Sequence, residues 1–339
     1  VVLEARLEST SGETVLALSR LSWSRPEGTT HARLAGNFLT GGADMPQITG
    51  RFDQAGSAPL SARLSVAPFI EGANRLAIPN LSLRGVQGGA FAFAGMAKAS
   101  GAIPGGSISA LQVPVNGRIG PRGDVRLGAA CEMIRFASLS AYDLAFEAQS
   151  IRLCPGASGA MVAYDEELSL DIVSEGLAFT GDFDGSPIDF ATSGVRLSYP
   201  GGFALTDVAA ALGEGDSAVR FTSAGLSGVF GDAISGEFVG ATARMEVVPL
   251  NLTELAGSWT YTDSVLNVTQ ARFTLTDRVL EGLTPRFNPL NSVGASLTLD
   301  GNSITASTAL DHKETGVPVT TVRIAHDLSS GEGSARLAV

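Results

Sequence analysis

Apolar and polar residues alternate with a period of two along nearly the whole chain. Leu16 and Leu18, then Leu21 and Trp23, open the pattern, and Leu60, Ala62, Leu64 and Val66 continue it. Later runs include Leu111/Val113/Val115, Leu168/Leu170/Ile172, Val195/Leu197/Tyr199, Val219/Phe221, Leu266/Val268, Phe273/Leu275, Leu297/Leu299 and Val322/Ile324. Such alternation is the signature of strands with one apolar face. Ser11-Gly12, Asp184-Gly185, Pro200-Gly201-Gly202 and Asp300-Gly301-Asn302 separate the runs, and Gly or Asn there supplies the positive φ of tight turns. The spacing predicts an all-β chain. Thr206–Leu212, closed by Gly213, and Asn251–Ala256 are the candidates for a few short helices, although both neighbourhoods alternate and favour strand.

A loose refrain recurs in ARLAGNF (Ala32–Phe38), QITGRF (Gln47–Phe52), GLSGVF (Gly225–Phe230) and AISGEF (Ala233–Phe238), read as a short apolar strand, a Gly, then a further strand. No fixed period emerges, so the pattern describes a long antiparallel meander rather than a strict solenoid. Many strands put Ala, Ser, Gly or Thr on one face and Leu, Val, Ile or Phe on the other, as in Ser296-Leu297-Thr298-Leu299. A sheet with one apolar face needs cover. That cover is a second sheet, the same sheet curling on itself, or a bound apolar ligand.

Composition sharpens this choice. The 339 residues are 44% hydrophobic but only 6% aromatic and 17% charged, with 41 Gly, so the apolar surface is either buried or kept for a ligand. No apolar run reaches the length of a membrane-spanning helix, and no signal peptide is visible. The chain starts and stops in mid-pattern, at Val1 and Val339, and reads as one continuous segment of a longer protein, with no linker or charge block dividing it. Its net charge of −11, with basic residues scattered singly, argues against nucleic acid and against strong attraction to anionic headgroups.

The only cysteines, Cys131 and Cys154, stand near the ends of ACEMIRFASLSAYDLAFEAQSIRLCP (Ala130–Pro155), an alternating stretch broken once near Ser138–Asp143. Folding back at the break would bring the sulfurs together. A bridge would constrain the unfolded chain by about 3 kcal/mol and require an oxidising compartment. Two buried, reduced thiols remain the alternative.

Candidate chemistry is sparse. His31, His312 and His326 are the three histidines; Asp311-His312 and His326-Asp327 are adjacent strand residues that point to opposite faces, so neither pair forms a relay. No nucleophile elbow is present. Asp182, Asp184 and Asp189 in GDFDGSPID only faintly resemble a calcium loop, and Asp184-Gly185 is better read as a hairpin turn; Glu214 and Asp216 receive the same reading. Gly85–Phe91 lacks the Lys-Ser/Thr and helix of a phosphate cradle. With two cysteines and no ligand cluster, no metal or cofactor is expected, and the chain does not read as an enzyme.

Three stretches together resemble the YdbH-type branch of the AsmA-like, repeating β-groove proteins of Gram-negative bacteria. They are the cysteine stretch ending in Leu153-Cys154-Pro155; RFNPL (Arg286–Leu290) preceded by FTLTD (Phe273–Asp277); and His326-Asp327-Leu328 followed by Gly331, Gly333 and Ala335-Arg336-Leu337. The likeness is specific over 131–339; over 1–130 only the strand pattern supports it. The resemblance implies a long, curved meander forming an open U-shaped groove, in a periplasmic protein held at the inner membrane by an anchor outside this chain. It implies a conduit for phospholipid or another diacyl lipid, such as a sphingolipid, between the inner and outer membranes, with a partner in the periplasm or outer membrane. Acyl chains would then lie on Leu197, Tyr199, Val219, Phe221, Leu266, Val268, Leu297, Leu299, Val322 and Ile324, with Arg286 and His326 structural. A scaffold for outer-membrane protein assembly, and a closed β-sandwich or solenoid adhesin or hydrolase, are the competing readings.

Overall fold

The computed structural model describes residues 2–25, 32–42, 45–103, 105–141, 144–183, 185–215, 218–245, 248–279, 284–327 and 329–338. His31, Asp143, Asp184, Asp216 and Leu328 lie outside them. The described chain is all-β: 28 strands in one antiparallel sheet, and no α-helix. Both helix candidates are strand interior. Two compact units are present, Val1–Ala141 with Ala148–Ile172, and Tyr142–Glu147 with Val173–Val339.

The first unit opens with β1 (Val2–Glu8), β2 (Thr14–Ser24), β3 (Arg33–Thr40), β4 (Ile48–Ala55), β5 (Ser61–Glu71), β6 (Asn74–Gly85), β7 (Phe91–Ile103) and β8 (Gly106–Pro114), each pairing with its sequence neighbour. Shorter strands follow: β9 (Gly117–Ile119), β10 (Val125–Leu127), β11 (Glu132–Phe136) and β12 (Ser138–Ala141). Next come β13 (Leu144–Phe146), which belongs to the second unit, then β14 (Gln149–Pro155), β15 (Val162–Asp165) and β16 (Glu167–Ser174).

The cysteine stretch folds back as its alternation suggests. β11 and β14 pair from Glu132↔Leu153 to Phe136↔Gln149, and Cys131 and Cys154 form a disulfide across 23 residues.

The second unit runs through β17 (Leu177–Phe183), β18 (Ser186–Thr192), β19 (Gly194–Tyr199), β20 (Gly202–Leu212), β21 (Val219–Val229), β22 (Ile234–Met245), β23 (Val248–Thr262), β24 (Val265–Asp277), β25 (Leu290–Asp300), β26 (Ser303–His312), β27 (Pro318–Asp327) and β28 (Gly333–Ala338). From β20 to β28 it is an unbroken meander.

A line of irregularities crosses this meander. Asp207 on β20, Gly240 on β22, Glu254 on β23, Gln270 on β24 and Gly294 on β25 all have positive φ, and the register slips beside most of them. A bulge bends a strand and re-aims the side chains beyond it. Next to the irregularities stand small or medium side chains that are almost fully buried: Val208, Ser223, Ala241, Ala256, Ala271 and Ala295. Together they form a crease. β20 shows its effect most directly: residues 194–197 of β19 pair with it on one side of Asp207, and residues 188–191 of β18 on the other.

Candidate functional site: an apolar face that stays accessible

In the second unit the crease separates two apolar stripes. One follows cross-strand partners from Leu197 through Phe203, the Gly228–Gly236 pair, Trp259 and Val268 to Leu297, Ala306 and Ile324. The other passes through Phe179, Phe190, Ala210, Phe221, Ala243, Leu252 and Leu275. Parity reverses at the crease: on β24 the inward residues are Leu266 and Val268 on one side, Ala271, Phe273 and Leu275 on the other. Both stripes therefore turn to the same side of the sheet. Phe221 and Phe238, one from each arm, meet edge-to-face with ring centroids 6.3 Å apart.

The ten side chains expected to line a groove all fall on this apolar side. Leu266 pairs with Leu299 and Val268 with Leu297; Ile324 faces Ala306, and Val322 faces Thr308. Val219 and Phe221 sit on the far arm, and Tyr199 joins Phe230 at 6.5 Å. The alternation also left members unnamed. Trp259 and Phe203 approach with centroids 6.1 Å apart over the facing glycines Gly228 and Gly236. A methyl added at Gly228 would stand 2.5 Å from Phe203 Cε1 and 3.0 Å from Trp259 Cζ2, so both rings lie down on the bare backbone.

The same device serves the first unit. Gly36 faces Phe52 and Gly50 faces Phe38, with a methyl at Gly50 only 2.6 Å from Phe38 Cε1. The refrain glycines are therefore strand interior, not breaks between strands as the sequence suggests. In β3 and β4 each G-x-F strand lays its ring over its neighbour's glycine, which keeps the apolar face there low in relief.

This face is not sealed. Among the described residues the largest side chain buried to below 2% exposure is that of Ser292; no Leu, Ile, Phe or Trp reaches it. Ile324, at 43%, and Tyr199, at 45%, are openly accessible. Trp259 Nε1 is the only side-chain polar atom of the described residues that is buried without a hydrogen-bond partner.

Charged groups near this face act structurally. Arg286 donates from Nε to Asp277 Oδ1 at 2.9 Å, from its backbone N–H to Oδ2 at 2.7 Å, and from Nη2 to the Pro249 carbonyl at 3.0 Å. Those hydrogen bonds hold the Asp277 carboxyl below its ordinary range. They also tie the end of FTLTD to the start of RFNPL. Glu254, at the crease, accepts from Thr274 Oγ1 at 2.6 Å and from Lys313 Nζ at 2.9 Å, and both lower its pKa, Thr274 more. His312 braces a turn through its backbone and ring, and His326 faces Gly333 across β27 and β28. Asp182 Oδ1 accepts from the Gly185 N–H at 2.7 Å, which is turn geometry. No group of three or more His, Cys, Asp or Glu suited to a metal occurs among the described residues.

The chain matches no protein-family model, no curated protein and no solved structure. The reading of function therefore rests on the geometry.

Proposed function

We propose that this chain is a stretch of a hydrophobic conduit that carries the acyl chains of lipids through the periplasm, between the inner and outer membranes. One observation carries the reading: the apolar face of the second unit keeps most of its large side chains partly accessible, with Phe238 at 7% and Leu310 at 4% the buried exceptions along it. A closed sandwich would cover that face with a second layer. A hydrocarbon tail lying on it would bury apolar area worth about 0.8 kcal/mol per CH₂. Because such contacts are non-directional, and the ring-over-glycine paving leaves little relief, a tail could shift along the face without crossing large barriers. Headgroups would remain in water. The Cys131–Cys154 disulfide fits an oxidising compartment, and the resemblance of residues 131–339 to YdbH-type proteins points the same way.

Native mass spectrometry and solvent extraction of the purified chain test the proposal. Diacyl lipid should co-purify, and Leu297→Asp should abolish its retention while β-sheet content is unchanged. Leu297 lies on the accessible face between Val268 and Ala306, where a carboxylate keeps its hydration. Absence of lipid, or a Leu297→Asp protein that unfolds as a core substitution would, defeats the conduit. Client peptide in place of lipid would favour the assembly scaffold.

A further inference from the structure

The opposite face of the first unit holds a second feature. Every Arg and Lys on the strands from Ile48 to Pro155 stands on the polar side, although the sequence spaces them singly. Arg51 faces Arg63 directly across β4 and β5, and Arg118 faces Arg126 across β9 and β10. Arg84 stands level with that second pair, separated from Arg118 by Ala92 alone. None of these five makes an ion pair or side-chain hydrogen bond among the described residues. The acids on this side of those strands are Asp53, held by Arg33 at 2.6 Å, and Asp124, whose carboxylate lies over Gly120 at the turn joining β9 and β10, two residues from Arg126; Glu132 sits on the apolar side, accepting from Asn116. Like charges set opposite each other on neighbouring strands are unfavourable unless something neutralises them.

Charge is also divided between the units. The first carries 14 basic and 13 acidic residues, the second 9 and 21, so the excess of acid belongs to the second. At physiological salt, fields fade within about 8 Å, and the arginine face acts locally whatever the net charge of the chain.

We infer that the polar face of the first unit docks on an anionic phospholipid surface. The five arginines span the six strands β4–β7, β9 and β10, roughly 24 Å at ordinary strand spacing. They occupy two levels of the sheet, so the patch has breadth as well as length. Guanidinium forks match phosphate oxygens. No Phe, Tyr or Trp of β4–β11 lies on this side, so the aromatic anchors that dominate protein interfaces are missing. A broad, flat, arginine-bearing face suits a plane of headgroups. It is separate from the apolar face and stands or falls independently of the conduit.

Vesicle flotation with the 339-residue chain tests this. Vesicles of phosphatidylglycerol with phosphatidylcholine should bind it, phosphatidylcholine alone should not, and binding should weaken steadily from 0.05 to 0.5 M salt. Replacing both Arg118 and Arg126 by Gln should weaken binding about twentyfold, near fivefold per cation; Arg51→Gln with Arg63→Gln should do the same. Both variants should keep the parent's circular dichroism and its lipid retention, and Leu297→Asp should keep the phosphatidylglycerol preference. No preference for phosphatidylglycerol overturns the inference. So does a preference unchanged by both double variants, or capture of an acidic protein by this face with vesicles ignored.

Discussion

Gly228→Ala tests whether the aromatic rings of the second unit rest on backbone. Gly228 is buried, and its φ is not among the positive values, so alanine meets no backbone obstacle. The obstacle is the ring of Phe203, with Cε1 at 2.5 Å and Cζ at 2.7 Å from the new methyl, and behind it Trp259 Cζ2 at 3.0 Å. Carbon atoms pack at about 3.5–4.0 Å, so Phe203 must withdraw by about 1 Å. Overpacking of this kind costs about 1–3 kcal/mol. Losing a glycine from the unfolded chain returns about 0.4–1 kcal/mol. The net expectation is about 1–2 kcal/mol of destabilisation. Urea unfolding followed by Trp259 fluorescence measures it, in a Trp23→Phe background where Trp259 is the remaining tryptophan. In a further Phe203→Leu background the cost should shrink by about 1 kcal/mol, a coupling a double-mutant cycle reads directly. A Gly228→Ala protein as stable as its parent, or more so, would refute the ring-on-backbone arrangement.

Three other outcomes are expected. Reducing the Cys131–Cys154 bridge should lower the stability of the first unit by about 3 kcal/mol, seen as an earlier thermal transition with dithiothreitol than without. Asp327 accepts from Ser329 Oγ at 2.6 Å and from the Ser330 N–H at 2.8 Å, which pulls its pKa from 3.8 to about 2, with Ser329 the larger cause. Its contribution is thus complete above pH 3.8 and lost as pH falls through about 2, so amide exchange in the β27–β28 hairpin should quicken across that window and not at neutral pH. Arg286→Ala removes the guanidinium's bonds to Asp277 and to the Pro249 carbonyl while the backbone bonds to both remain, and the amides of residues 278 and 286, which make those backbone bonds, should lose protection while those of β20 and β21 do not.

How much of this was legible in the chain depends on what the alternation encodes. The all-β class, the antiparallel meander and the cysteine hairpin follow from it, because period two and Gly- or Asn-bearing turns are local signals. The crease was there as well, written as a skip. Leu205 to Val208, Phe238 to Ala241 and Val268 to Ala271 are steps of three in a pattern of twos. Read as interruptions, such steps separate Leu266/Val268 from Phe273/Leu275; in the structure both pairs sit on β24. An αL residue within a strand is a bulge rather than an end, and the following small residue, Val208, Ala241, Ala271 or Ala295, is the one the bend buries.

Register explains what stayed hidden on the two faces. The refrain shows that glycine precedes phenylalanine by two, but only the pairing of Gly36 with Phe52 and of Phe38 with Gly50 turns that spacing into rings laid over backbone. The arginines pose the same problem in reverse. Arg51 and Arg63 are twelve residues apart in the chain, and the scatter along the sequence suggests no basic stripe. A strand, a tight turn and a returning strand bring them face to face. Since side chains alternate between faces, the informative quantity is each cation's parity relative to its apolar neighbours. Arg51 lies between Gly50 and Phe52, Arg63 between Ala62 and Leu64, and Arg126 between Val125 and Leu127, so each is outward by the same rule that turns its neighbours inward. Counting charge along the chain averages over that rule; counting it by face would have separated an apolar side from an arginine side before any strand was paired.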